Sequence, residues 1–260
     1  MISYEPILSH VVPFMLVVAR LGGLFLLAPI LGNRFLPAKF RALLVVMLAA
    51  AVYPGLSSTV QHLPETTLLT LAPLIVTETL IGFTIGFIAC LPIMCLDLAG
   101  YVMGHQMGLG LARVYNPHTA MDTDILGQLL MFIALGTFIA LGGLEVLFVS
   151  LLSTYQGVPI GGVGGGVAPL DLVVGVLSSG VEMAARVAAP VVCIVFLLMI
   201  SMGFIMKTMP QINILSVGFT VKILFGVGMV AAAIGSMHGA IQGELERVLN
   251  VVLDFGRTVG

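Results

Sequence analysis

The sequence predicts an all-α, helical, membrane-associated protein of about six long, broken apolar segments in one domain over residues 1–260. Three observations carry that expectation. First, 59% of the residues are hydrophobic and 8% charged, whereas soluble domains carry roughly 25% charged residues. With a mean hydropathy of +1.18, the chain cannot cover itself with a solvated surface and must be buried in lipid or against partners. Second, long apolar runs alternate with short breaks rich in proline, glycine or polar residues. Third, glycines recur at helical spacing in three places: Gly82 and Gly86; Gly100, Gly104 and Gly108; and Gly235, Gly239 and Gly243. On helices these make bare ridges that let another helix approach closely. So many ridges on one chain suggest that some of the neighbours are other subunits, although any single ridge is explained by packing within the chain.

Residues 11–31 match the roughly 20 residues needed to cross a hydrocarbon core, with Arg20 in their centre. A charge at mid-membrane depth costs about 2.5–3.5 kcal/mol on insertion scales, so Arg20 is expected to face protein or water. The N-terminus has no positive n-region or small-residue cleavage site, so the first apolar run is expected to remain in the mature protein. Residues 32–41, GNRFLPAKFR, carry Arg34, Lys39 and Arg41 and no acid, which assigns this loop to the cytoplasmic side. Residues 42–56 are only 15 apolar residues closed by Pro54, short for a perpendicular span. Residues 57–66 fall on the opposite side. Residues 67–96 contain Glu78, Gly82 and Gly86, with Pro73 and Pro92 predicting bends.

The middle of the chain, residues 97–124, reads as neither a span nor a soluble loop. Gly108 and Gly110 can flex, and Met107 can repack. The stretch is either a movable constriction within an assembly of helices or a re-entrant turn that simply joins two spans. Residues 125–155 form another long run, interrupted at Gly142-Gly143 and Glu145. Residues 156–171, rich in glycine, predict a flexible surface loop. Residues 172–206 are long enough to cross a membrane and project beyond it, and within them Glu182 and Arg186 stand four apart in the favourable order for an intrahelical pair. After the polar break at residues 207–213, residues 214–241 form the last apolar run. The tail, 244–260, predicts a short amphipathic helix on a surface or partner. Alternation puts the N-terminus outside.

The net charge of −2 and the absence of a basic block argue against nucleic acid as a partner. Cys90, Cys95 and Cys193 lack metal-ligand spacing and read as buried small hydrophobes. Asp97, His105, His118, Asp122 and Ser201 could support chemistry, yet none sits in a recognised catalytic motif. No catalytic, cofactor-binding or metal site is therefore expected. Arg20 and Glu78 leave two readings open. They are packing and assembly residues, or they form the mid-membrane charged site of a secondary transporter.

Several ordered motifs add to this. Pro210-Gln211-Ile212-Asn213 stands two turns before Gly218-Phe219 and ahead of Lys222. Gln106-Met107-Gly108-Leu109 is followed by Asn116-Pro117. Arg20 with Pro29, Pro37 with Arg41, and Glu78 with Gly82 and Gly86 follow in matching order. Together they resemble the FliR/SctT family of type III secretion export-gate subunits over nearly the whole chain, and the flagellar branch in particular at QMGLGLARVYNP. Gly143-Leu144-Glu145 and Lys207 depart from the family pattern. The resemblance implies an all-helical subunit like a fusion of FliP and FliQ, with residues 1–171 FliP-like and 172–260 FliQ-like. It implies FliP- and FliQ-like gate subunits, FlhB and FlhA as partners, membrane lipid around the assembly, and unfolded rod, hook and filament proteins as cargo. The location implied is the bacterial inner membrane at the flagellar basal body. A plug loop maps onto residues 105–121, centred on Gln106, Met107, Gly108, Leu109, Gly110 and Leu111. Arg20, Glu78, Gly82, Gly86, Pro210, Gln211 and Asn213 are implied to serve assembly and packing.

Overall fold

A computed structural model of the chain describes residues 5–32, 37–56, 68–109, 125–162, 170–208 and 214–258. The described residues are helical, without strands, and form seven helices: α1 (Glu5–Leu27), α2 (Ala38–Leu56), α3 (Leu68–Met107), α4 (Ile125–Ala140), α5 (Gly143–Gly157), α6 (Leu170–Thr208) and α7 (Ile214–Thr258). By length and apolar character five of them could cross a membrane, or six spans result if the bent pair α4–α5 counts as one.

Helix α1 stops ahead of Pro29, in a turn closed by Gly32 N–H donating to the Ala28 carbonyl at 2.8 Å. Ile30 takes a left-handed φ of 71° in that turn, an unusual conformation for a β-branched residue. Helix α2 begins four residues earlier than its apolar run. Pro37 precedes it and supplies its carbonyl to the Arg41 N–H at 3.2 Å, so Lys39 and Arg41 lie on the first turns of the helix and not in a loop. At about 1.5 Å per residue the 19 residues of α2 reach about 28 Å, enough for the hydrocarbon core. At its far end Tyr53 hydrogen-bonds His10 of α1 (2.8 Å to Nδ1) and meets Phe14 edge-on.

Helix α3 departs most from the sequence expectation. It is one helix of 40 residues, about 60 Å long, which keeps Pro73 and Pro92 within it and absorbs residues 97–107 of the central stretch. The reason is visible at Gly100, where a Cβ would overlap the backbone of Gly127 on α4. Glycines here serve helix contact and leave the helical backbone intact. The interruption at Gly142 is as predicted. Gly142 has φ 70°, its N–H bonds Ile139 O, and its carbonyl accepts from Val146 N–H. Helices α4 and α5 are bent there by 62°.

Helices α6 and α7 have 39 and 45 residues. The tail is not a separate amphipathic helix but the end of α7. Its Leu245, Val248, Leu249, Val252 and Phe255 are buried against its own chain, because they share one face of the continuing helix. Ser150 of α5 donates to the Val252 carbonyl at 2.6 Å, and Gly256 has no Cβ to block that approach. Of the cysteines, Cys95 is buried, Cys90 half-buried and Cys193 exposed on α6, so burial holds only in part.

The chain divides into two compact units. Unit 1 comprises Met1–Leu91, Ile139–Val176 and Glu246–Gly260, and unit 2 comprises Pro92–Phe138 and Leu177–Leu245. Buried side chains of unit 1 include Leu16, Leu24 and Phe25 of α1, Ile85 and Ile88 of α3, and Leu147 and Leu151 of α5. Those of unit 2 include Leu96 and Met103 of α3, Leu130 and Phe138 of α4, and Val187, Val191 and Val195 of α6.

Candidate functional site

Within unit 1 an apolar interior closes around one ionised pair. Arg20 projects from α1 and is 0% exposed, and Glu78 projects from α3 and is 1% exposed. Arg20 Nε donates to Glu78 Oε2 at 2.5 Å. Its Nη1 donates to Thr154 Oγ1 at 2.9 Å and its Nη2 to the Val158 carbonyl at 3.1 Å. The Thr154 hydroxyl spends its own proton on the Leu151 carbonyl at 2.6 Å, which leaves its lone pairs for the guanidinium. The guanidinium carbon stands 4.0 Å from the centroid of the Tyr155 ring, within cation–π range. The second carboxylate oxygen, Glu78 Oε1, accepts the Gly161 N–H at 3.1 Å. Arg20 thus faces protein, as the cost of a bare charge in lipid requires.

Gly82 and Gly86 explain how α1 comes so close. They follow Glu78 on the same face of α3. A Cβ at Gly82 would overlap the Arg20 carbonyl oxygen, and one at Gly86 would lie 2.8 Å from the Leu24 carbonyl oxygen. From the other side, a Cβ at Gly23 would overlap the Thr79 carbonyl. This ridge is therefore used inside the chain. The third ridge is not: added Cβ atoms at Gly235, Gly239 and Gly243 meet nothing within 4 Å among the described residues.

The turn that leaves α5 differs from the surface loop expected there. Val158 is 4% and Ile160 0% exposed. Gly161 takes φ 77°, a left-handed value that suits glycine, and Gly162 N–H closes the turn onto the Pro159 carbonyl at 2.8 Å. The composition of residues 156–171 suggests solvent, but two ionised groups far away in sequence hold the first part of it. Thr154, Tyr155 and the backbone of Val158 and Gly161 were missed as site residues. A Glu–Arg pair four apart is legible locally, whereas partners 58, 134 and 138 residues from Arg20 leave no short-range signal.

Unit 2 holds the described part of the candidate plug. Met107 is the last residue of α3, 0% exposed, and its side chain occupies the place where Gly226 of α7 has no Cβ. Gly108 has φ 86°. Its N–H bonds the His105 carbonyl, and the Leu109 N–H bonds the Gly104 carbonyl, each at 3.0 Å. That double closure around a left-handed glycine is a Schellman cap. Gly108 therefore terminates the helix and does not prolong the stripe of Gly100 and Gly104. Gln106 is exposed, and His105 stacks on Tyr101 with 5.9 Å between ring centroids. Gly110 and Leu111 of the plug, and Pro210, Gln211 and Asn213, lie outside the described residues.

On α6 the Glu182–Arg186 pair forms as predicted, Nη2 to Oε1 at 2.6 Å, with both side chains more than half exposed. Chemically, the carboxylate and the guanidinium are engaged, while the Tyr155 hydroxyl has no partner among the described residues. Both oxygens of Glu78 are engaged, and Arg20 meets an acceptor or a ring face in each direction.

Comparison with known proteins gives a consistent result. Residues 11–248 match the family model for "Bacterial export proteins, family 1". The chain is similar to flagellar biosynthetic protein FliR of Escherichia coli, 25% identical over 240 residues that cover 90% of this chain and 89% of the relative. It is also similar to FliR of Bacillus subtilis, at 27% identity over 81% of each chain. The Yop proteins translocation protein T of Yersinia pestis is 27% identical over 84% of this chain and 82% of the relative.

Proposed function

The chain belongs to the bacterial export proteins, family 1, and from that premise we propose that it is a subunit of the flagellar type III export gate. In this reading it is a non-catalytic conduit protein of the inner membrane at the flagellar basal body. It assembles with FliP- and FliQ-like subunits, its residues 1–171 resembling the first and 172–260 the second, beside FlhB and FlhA, and unfolded rod, hook and filament proteins pass through. The observation that carries the reading is the family match, which runs from α1 into the last turns of α7. The flagellar branch is favoured by Gln106-Met107-Gly108-Leu109 with Asn116-Pro117 downstream. Pro210, Gln211 and Asn213 are assigned to assembly in the same reading.

The segment Gln106 to Leu111 is proposed as the plug of the gate. Met107 anchors it in unit 2, the cap at Gly108 ends the rigid arm of α3, and Leu109, Gly110 and Leu111 supply small and apolar material beyond. Such a gasket would exclude water and ions by dewetting and yield to any unfolded chain without selecting its sequence. The test deletes residues 106–112, the whole of the proposed plug. Cells should become leaky to small ions while export of rod and hook proteins continues. Normal ion permeability in a strain with normal protein levels would sink the plug assignment.

A secondary transporter centred on Arg20 and Glu78 is the competing reading. A transport site built on Glu78 needs a free carboxylate oxygen for its substrate, and both are already engaged, which supports the gate.

A further inference from the structure

We propose that Arg20 and Glu78 form a clasp on the turn at residues 158–162, specific in its polarity, so that the two are positioning residues for the chain that leaves α5. Neutralising the two charges takes only the two residues, and the hydrogen-bonding capacity left over on a buried pair must be met by other groups. Here each member of the pair reaches past the other to the same turn. Arg20 Nη2 donates to the Val158 carbonyl, and Glu78 Oε1 accepts from the Gly161 amide. The turn needs one donor and one acceptor, because its carbonyl at Val158 and its amide at Gly161 sit among buried residues, where an unmade hydrogen bond is costly. Arg20 also fixes the last turn of α5 through Thr154 and the Tyr155 ring, so one side chain orients both the end of the helix and the residues that follow it.

The consequence is directional. Exchanging the two residues keeps the charges balanced but turns a carboxylate toward the Val158 carbonyl and a guanidinium toward the Gly161 amide, each the wrong partner. Replacing Arg20 with lysine keeps the charge pair but not the fork. An ammonium has three N–H donors, but all on one nitrogen, and cannot match acceptors that are held by three separate guanidinium nitrogens. This inference goes beyond the export reading and does not depend on it.

The experiment is hydrogen exchange measured by mass spectrometry on the full-length protein, purified from its membranes in mild detergent with whatever partners it retains. Peptides covering residues 156–162 report the turn, and peptides around Ile85 report the α1–α3 crossing. In Arg20→Lys the turn should exchange at least about tenfold faster, the factor expected for loss of one charge-assisted hydrogen bond, while the crossing is unchanged. The exchanged variant, Arg20→Glu with Glu78→Arg, should release the turn at least as much. Wild-type protection of the turn in either variant would overturn the proposal and reduce the pair to charge neutralisation. Equal acceleration of turn and crossing in Arg20→Lys would also overturn it, by assigning the pair to the helix crossing as a whole. If the exchanged variant does not fold, the lysine variant decides alone.

Discussion

Gly82→Ala tests whether the α1–α3 crossing depends on a missing side chain. The new Cβ would overlap the Arg20 carbonyl oxygen and lie 2.9 Å from its carbon and from Leu24 N, where ordinary contact begins at 3.4 Å. All three obstacles are backbone, so no side chain can swing aside and the helices must part. Relieving the carbon contact alone needs about 0.5 Å, and the oxygen needs more. A separation of about 1 Å would stretch the Arg20–Glu78 hydrogen bond from 2.5 Å to the outer limit of such bonds. Overpacking costs about 1–3 kcal/mol and a charge-assisted hydrogen bond contributes about 1.5–3 kcal/mol. Less the roughly 1 kcal/mol that alanine gains in helix propensity, they predict a loss of about 1.5–5 kcal/mol, or a fall in Tm of roughly 3–20 °C for a chain of this size. The assay is thermal unfolding of the purified protein in detergent, with Gly239→Ala as control. A Cβ at Gly239 meets nothing, so that variant should gain up to about 1 kcal/mol from helix propensity. In a background carrying both Arg20→Met and Glu78→Met, the cost of Gly82→Ala should shrink, since the bond it stretches is gone. A Gly82→Ala protein that melts with the Gly239→Ala control would refute the reasoning.

Two further outcomes follow from the same geometry. Tyr155→Phe keeps the ring over Arg20 and removes a buried hydroxyl that has no hydrogen-bond partner among the described residues. It should match or slightly exceed wild type in Tm, whereas Tyr155→Leu should lose roughly 0.5–2 kcal/mol of cation–π attraction. Arg186→Ala breaks the Glu182–Arg186 pair, but both partners are more than half exposed. The same melting assay should register less than about 0.5 kcal/mol.

How far the sequence reached can be judged residue by residue. Composition and run length identified the apolar helices, and Gly142-Gly143 located the bend between α4 and α5. Glu182 and Arg186 paired as their spacing required, because an i, i+4 contact is local. The extent of α3 was not legible. Pro92, Gly100 and Gly104 argue against a continuous helix by intrinsic preference, and the packing of Gly100 onto Gly127 overrides that preference. Glycine and proline in residues 158–162 predict a solvated turn, and its burial comes from Arg20 and Glu78. The charges that resume at Glu244 predict a separate surface helix, yet the tail's apolar face continues that of α7. Each miss is a long-range contact acting on a local signal.

The composition of unit 1 bears on the order in which the chain is made. Arg20 and Glu78 leave the ribosome before Gly161, which follows Glu78 by 83 residues, and at about 5–20 residues per second that is an interval of roughly 4–17 s. During that time neither Thr154 nor the Val158 carbonyl exists to share the guanidinium. Unit 1 also takes in Glu246–Gly260, and Val252 follows Ser150 by 102 residues, so Ser150 waits longer still for its acceptor. A nascent chain halted before Gly161 would therefore lack the amide that engages the second oxygen of Glu78.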